Sequence, residues 1–124
     1  MNVCPRCDLE GPGGSRELEF SKEERRQLRR LSGEAHEREL GEALEALEGE
    51  FQRWRAGEIE AWELGERIHE FHDGESRRLF NLYNRAKDPE LVARAIGLGL
   101  IDGASLAPGL LRKLEPWIGF YQNG

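Results

Sequence analysis

Apolar residues recur in steps of three and four through the first half of the chain: Leu28, Leu31 and Ala35, then Leu40, Leu44, Leu47, Phe51 and Trp54, with one skip near Arg38. That period is the mark of an amphipathic helix, here roughly thirty residues long. Ser21 followed by Glu24 forms a capping box, which sets its start near Lys22. Gly57 supplies the left-handed residue that closes it. Ser32-Gly33 and Gly41 are weak points at which a kink or break is expected.

A second helix should begin near Glu60, with Glu63 in its first turn and Ala61, Leu64, Ile68 and Phe71 on its apolar face. Asp73-Gly74 should close it, and Asp73 can cap a third helix carrying Leu79, Phe80, Leu82 and Tyr83. Asp88-Pro89 predicts the start of a fourth, which buries Leu91, Val92, Ala95 and Ile96 and is eroded by Gly97 and Gly99. After a turn at Asp102-Gly103, Pro108 to Leu114 and Pro116 to Tyr121 read as two short helical pieces divided by the second proline. No strand alternation and no internal repeat interrupt this pattern. The expected fold is all-α, a single-domain bundle of four to five helices with a long first helix. It spans 21–124 and is preceded by an irregular, flexible N-terminal arm over 1–20.

Composition narrows the picture. A length of 124 residues gives one domain, and 38 % hydrophobic against 34 % charged residues requires helices with one wet face. No run of about 18 apolar residues occurs, and no charged-then-apolar leader opens the chain, so neither a membrane span nor a signal peptide is expected. The cytosol is the simplest location.

The net charge of −6 argues against nucleic acid as a partner. It is also unevenly spread. Lys22 to Arg30 holds five cations and two glutamates, whereas Glu34 to Glu50 holds seven glutamates and one arginine. Charge runs usually only solvate a helix face. The sharper reading is an antiparallel homodimer in which Arg26, Arg29 and Arg30 of one copy meet the acidic block of the other, with Leu28, Leu31 and Leu40 supplying the buried contact.

Cys4 and Cys7 form C-P-R-C near the N-terminus. No strand pattern surrounds them, which excludes a thioredoxin-type redox site. Two thiols are half of a structural zinc site, which a second chain or His36 would have to complete. The alternative is two reduced thiols on a tail, separated from the helical region by Gly11 to Gly14, G-P-G-G.

The densest chemistry lies in Ile68 to Gly74, I-H-E-F-H-D-G. On a helical wheel His72 falls beside the apolar stripe and is expected to be partly buried, while His69 falls near Trp62 at its margin. Glu66, His69 and Asp73 form a polar column. If the hairpin between the first two helices turns about Gly57, His69 lies opposite Glu45 and His72 opposite Glu42. His69, His72, Asp73, Glu66, Glu45 and Glu42 are therefore the candidate ligands for a divalent metal such as zinc, manganese or iron. The competing reading makes His72 a structural boundary residue and His69 a surface residue packed on Trp62.

Glu45-x-x-Glu48 and Glu70-x-x-Asp73 resemble the paired signature of MazG-type all-α nucleotide pyrophosphohydrolases. That resemblance implies four carboxylates of two facing helices holding magnesium. With twenty glutamates in the chain, E-x-x-E also recurs at Glu34/Glu37, Glu39/Glu42, Glu42/Glu45 and Glu63/Glu66. Ala56 to Tyr83, with G-E-I-x-A-x-E-L and I-H-x-F-H-x-G, is similar to a segment of small helical bacterial proteins without assigned activity. This implies a bacterial origin and an all-α fold, and assigns no residue a catalytic role. No phosphate-binding loop, nucleophile elbow or H-E-x-x-H helix is present. The sequence thus favours a non-enzymatic interaction or regulatory protein, homodimeric or bound to another protein, with no cofactor. A metal-dependent hydrolase is the alternative.

Overall fold

The computed structural model describes residues 19–123, and over that span the protein is all-α. Five α-helices run in order: α1 (Lys22–Arg55), α2 (Ala61–Phe71), α3 (Arg77–Arg85), α4 (Asp88–Leu98) and α5 (Pro108–Asn123). The arm with Cys4 and Cys7 lies outside the described residues, and with it the zinc reading. None of these helices is long and apolar enough to cross a membrane.

The described chain divides into two compact units, one comprising residues up to Ala35 together with those from Lys87 onward, the other His36–Ala86. Nearly all the deeply buried side chains belong to the first. Leu28, Leu31 and Ala35 of α1, Leu91, Val92 and Ala95 of α4, and Leu110, Leu114, Trp117 and Ile118 of α5 are all buried there. Burying each such side chain is worth about 1.5 to 3 kcal/mol, which makes this unit the hydrophobic core.

The start of α1 is fixed twice. Ser21 and Glu24 cap reciprocally, the Ser21 N–H donating to Glu24 Oε1 at 2.9 Å and the Glu24 N–H to Ser21 Oγ at 3.0 Å. Lys113 of α5 then donates to Glu24 Oε1 at 2.7 Å and to the Glu19 carbonyl at 2.8 Å. The hydrogen bond from Lys113, followed by that from the Ser21 backbone, holds the Glu24 carboxyl below the usual carboxylate range. A folded-state pKa that is depressed contributes stability above the unfolded pKa and loses it as pH falls through the folded one. Glu24→Gln should therefore cost about 1 kcal/mol at pH 7, and the cost should vanish as pH falls through the depressed folded-state pKa, so its urea midpoint should converge with that of the parent protein on acidification.

Three expectations from the sequence change. First, α1 runs unbroken through Gly33 and Gly41. Two isolated glycines cost only about 1 kcal/mol each, less than the capping and packing that hold the ends. Second, α5 is one helix with Pro116 inside it, not two pieces. Proline leaves the carbonyl four residues back without its donor, yet Leu110, Leu114, Trp117 and Ile118 bury one continuous stripe across it, and that burial exceeds the cost of about 3 kcal/mol. Third, Asp73-Gly74 does not end α2. A π turn over His72–Ser76 carries the chain into α3 with helical backbone angles at Phe71, His72, Ser76 and Arg77. Two α-helical turns advance about 7.2 residues, and the extra residue of the π turn accommodates the eight-residue step from Phe71 to Leu79.

The predicted closure holds at Gly57, and Gly99, expected only to erode α4, closes it; both have φ of 82°. At each the next N–H reaches back five residues, Glu58 to the Arg53 carbonyl at 2.8 Å and Leu100 to the Ala95 carbonyl at 2.8 Å. Gly99 thus ends α4 cleanly. Its start shifts by one, because Lys87 occupies the cap and Asp88 the first helical position.

Candidate functional site

The second unit is a helical hairpin, and it buries little. Its buried apolar side chains are Ile59, Leu64 and Leu79, and α1 from His36 to Arg55 contains no buried residue. The stripe that the sequence pattern assigns to the interior is only half covered: Leu44 is 46 % exposed, Trp54 41 % and Ile68 41 %. Two helices cannot enclose a stripe of this width, since each can shield only one side of the other.

Two ion pairs fix the register of the hairpin, Arg67 Nε to Glu50 Oε1 at 3.5 Å and Arg78 to Glu39 Oε2 at 3.7 Å. Both place its symmetry point between Glu58 and Ile59 rather than at Gly57. Capping explains the shift, since Glu58 still belongs to the exit from α1 and α2 is entered through Glu60, whose N–H donates to Glu63 Oε1 at 2.8 Å.

Between the walls of the hairpin lies a groove of about 560 Å³. Glu39, Glu42, Ala43, Ala46, Leu47 and Glu50 line it from α1; Arg67, Glu70, Phe71 and Glu75 line it from α2 and the π turn. The floor is apolar and the rim acidic. At one end Glu39, whose side chain is only 12 % exposed, accepts a hydrogen bond from the Tyr83 hydroxyl at 2.9 Å. His36 stacks on the Tyr83 ring with centroids 4.4 Å apart and planes 10° from parallel. Arg78 grips Glu75 through two bonds of 3.2 and 2.7 Å. This end is a structural lock. Tyr83→Phe should destabilise the protein by about 1 kcal/mol in urea unfolding, because the largely buried Glu39 side chain loses a donor while the ring stack remains.

The candidate metal ligands do not converge. Among the described residues no three histidine, aspartate, glutamate or cysteine side chains are grouped to hold an ion. His69, Glu66 and Glu45 are exposed, Asp73 pairs with Arg77 at 3.5 Å, and Glu42 alone of the six lines the groove. His72 is exposed rather than partly buried. The wheel that placed it assumes a straight α-helix, and the π turn begins at His72 itself. The carboxylates of the pyrophosphohydrolase resemblance fare no better: Glu70 borders the groove, while Glu45 and Glu48 are exposed outside its lining. Those four residues do not fit a shared magnesium site.

The expected dimer surface also changes. Leu28 and Leu31 are each 1 % exposed and already taken up within the chain, so they are not available to a second copy. Arg26 pairs with Glu23, and Arg30 with Glu34 at 3.0 Å. Arg29 is exposed and Leu40 half-buried.

The groove itself is a feature that sequence reasoning passed over. Its signal was Ala43 and Ala46, three apart beside Leu47, small residues on the face where a helix pair would otherwise close. No family model, curated protein or solved structure matches this chain.

Proposed function

We propose that the protein is a non-enzymatic interaction module of the bacterial cytosol, which docks onto another protein through the hairpin His36–Ala86. The observation that carries this reading is the half-covered apolar stripe, with Leu44, Trp54 and Ile68 each more than two fifths exposed along two helices that line a groove. Large apolar side chains left exposed on a hairpin that also carries a groove with an apolar floor and an acidic rim fit a docking surface for another protein. The carboxylates of the groove serve as its acidic rim: Glu39, Glu50, Glu70 and Glu75 pair with arginines, and Glu42 is open to solvent.

A photo-crosslinking amino acid placed at Leu44 or Phe71, in cells producing the protein, should give an adduct of one defined mass. The same probe at Arg112 should not. Identical profiles from all three sites would sink the proposal. So would magnesium-dependent release of pyrophosphate from a nucleoside triphosphate that is lost in Glu70→Gln.

A homodimer along α1 would have to rest on Arg26, Arg29, Arg30 and Leu40 without Leu28 and Leu31. Exposed ion pairs contribute only about 0 to 1 kcal/mol each. Light scattering at high micromolar concentration should accordingly find a monomer, and a salt-sensitive dimer would restore the charge-split interface.

A further inference from the structure

The hairpin and the rest of the chain differ sharply in charge. Residues 36–86 hold thirteen carboxylates against seven arginines and so carry the whole net charge of −6, leaving the remainder of the chain neutral. A surface of that charge repels a second copy of itself and attracts a basic one. The groove repeats the same chemistry locally, with five glutamates and one arginine around an apolar floor. Most of the five are engaged with arginines, but Glu42 has no ion partner among the described residues.

From Glu39 to Glu50 the groove runs along α1 for eleven residues, or roughly 16 Å, about three helical turns. Ala43 and Ala46 keep its floor low over about one turn at the middle of that length. A helix laid along it would seat the apolar side chains of about one turn on Ala43, Ala46 and Phe71, which lies opposite Ala46 in this register, while its flanks meet Glu42 and Glu70.

Resting on the proposed interaction role, we infer that the groove binds a basic amphipathic helix of a partner protein, with apolar residues at i and i+3 or i+4 flanked by lysine or arginine. The chain's own basic stretch does not meet this description. In Lys22 to Arg30 the one large aliphatic residue, Leu28, faces the interior, so a second copy could offer there only charge without an apolar ridge.

The test uses the full chain and three synthetic peptides of about 15 residues. One carries leucines at that spacing with lysines on its flanks, the second replaces the leucines by glutamine, and the third replaces the lysines by glutamate. Fluorescence anisotropy should find the first bound at least about tenfold more tightly than either control. Ala46→Gln, which raises the floor at an exposed helix position without adding charge, should weaken it about tenfold, and Glu42→Gln with Glu70→Gln should weaken it and flatten its salt dependence. Unchanged circular dichroism checks that the variants remain folded. Equal affinity for the glutamine peptide would overturn the inference by reducing the groove to a polyanionic surface, and so would indifference to Ala46→Gln. A dimer abolished by Ala46→Gln would overturn it by making the occupant a second copy. Ala46-sensitive binding of the acidic peptide would refute the basic partner while leaving the interaction role intact. Failure of every peptide to bind would also overturn the inference, whereas the interaction role falls on its own test, when the crosslinks at Leu44 and Phe71 match those at Arg112.

Discussion

Leu31→Ala should lower the unfolding free energy by about 3 kcal/mol and the melting temperature by about 10 °C, whereas Leu44→Ala should change stability by less than about 0.5 kcal/mol. Both leucines lie on α1, and both belong to the same apolar series in the sequence. Leu31 is 1 % exposed, so truncation removes its transfer free energy and leaves a cavity that surrounding side chains fill only partly. Leu44 is 46 % exposed, water already reaches it, and alanine is the better helix former. Urea denaturation of the two variants decides the matter. Equal losses would mean that the stripe beyond Ala35 is covered in the free protein, and the exposed surface on which the interaction proposal rests would disappear with it.

The contrast between these leucines marks the limit of what was legible in the chain. Periodicity located α1, the turn at Gly57, α2 and α4 from residues that act locally, because caps and apolar spacing are decided within a turn or two. It could not say which part of a continuous stripe finds a partner, since that depends on how many helices pack against it. Pro116 and Gly74 misled for a related reason. Each is a helix breaker by propensity, and each sits in a helix because the residues around it pack on both sides. The histidine pair drew attention by composition, but its geometry depended on the π turn, which adds one residue to a turn without leaving any sequence pattern that marks it. For the groove the decisive residues were alanines, which register in a hydrophobic pattern only as weak members.

Gly97→Ala should destabilise the protein by about 2 kcal/mol, although alanine is the better helix former at an interior position by about 1 kcal/mol. A Cβ at Gly97 would lie 2.8 Å from Tyr121 Cβ, 3.1 Å from the Ile118 carbonyl oxygen and 3.4 Å from the Gln122 nitrogen. None of these is the free end of a side chain. All three are fixed to the backbone of α5, so relief requires α4 and α5 to separate, and overpacking of that kind costs about 1 to 3 kcal/mol. Gly33 and Gly41 of α1 have nothing within 4 Å of an added Cβ, and Gly33→Ala and Gly41→Ala should each gain about 0.5 to 1 kcal/mol. Tyr121→Ala should not rescue Gly97→Ala, because alanine keeps the Cβ that makes the clash. Three urea midpoints therefore test the helix packing by sign alone: one falls and two rise. A rise at Gly97 would show that α4 and α5 do not approach so closely, and that this glycine is not a contact residue between them.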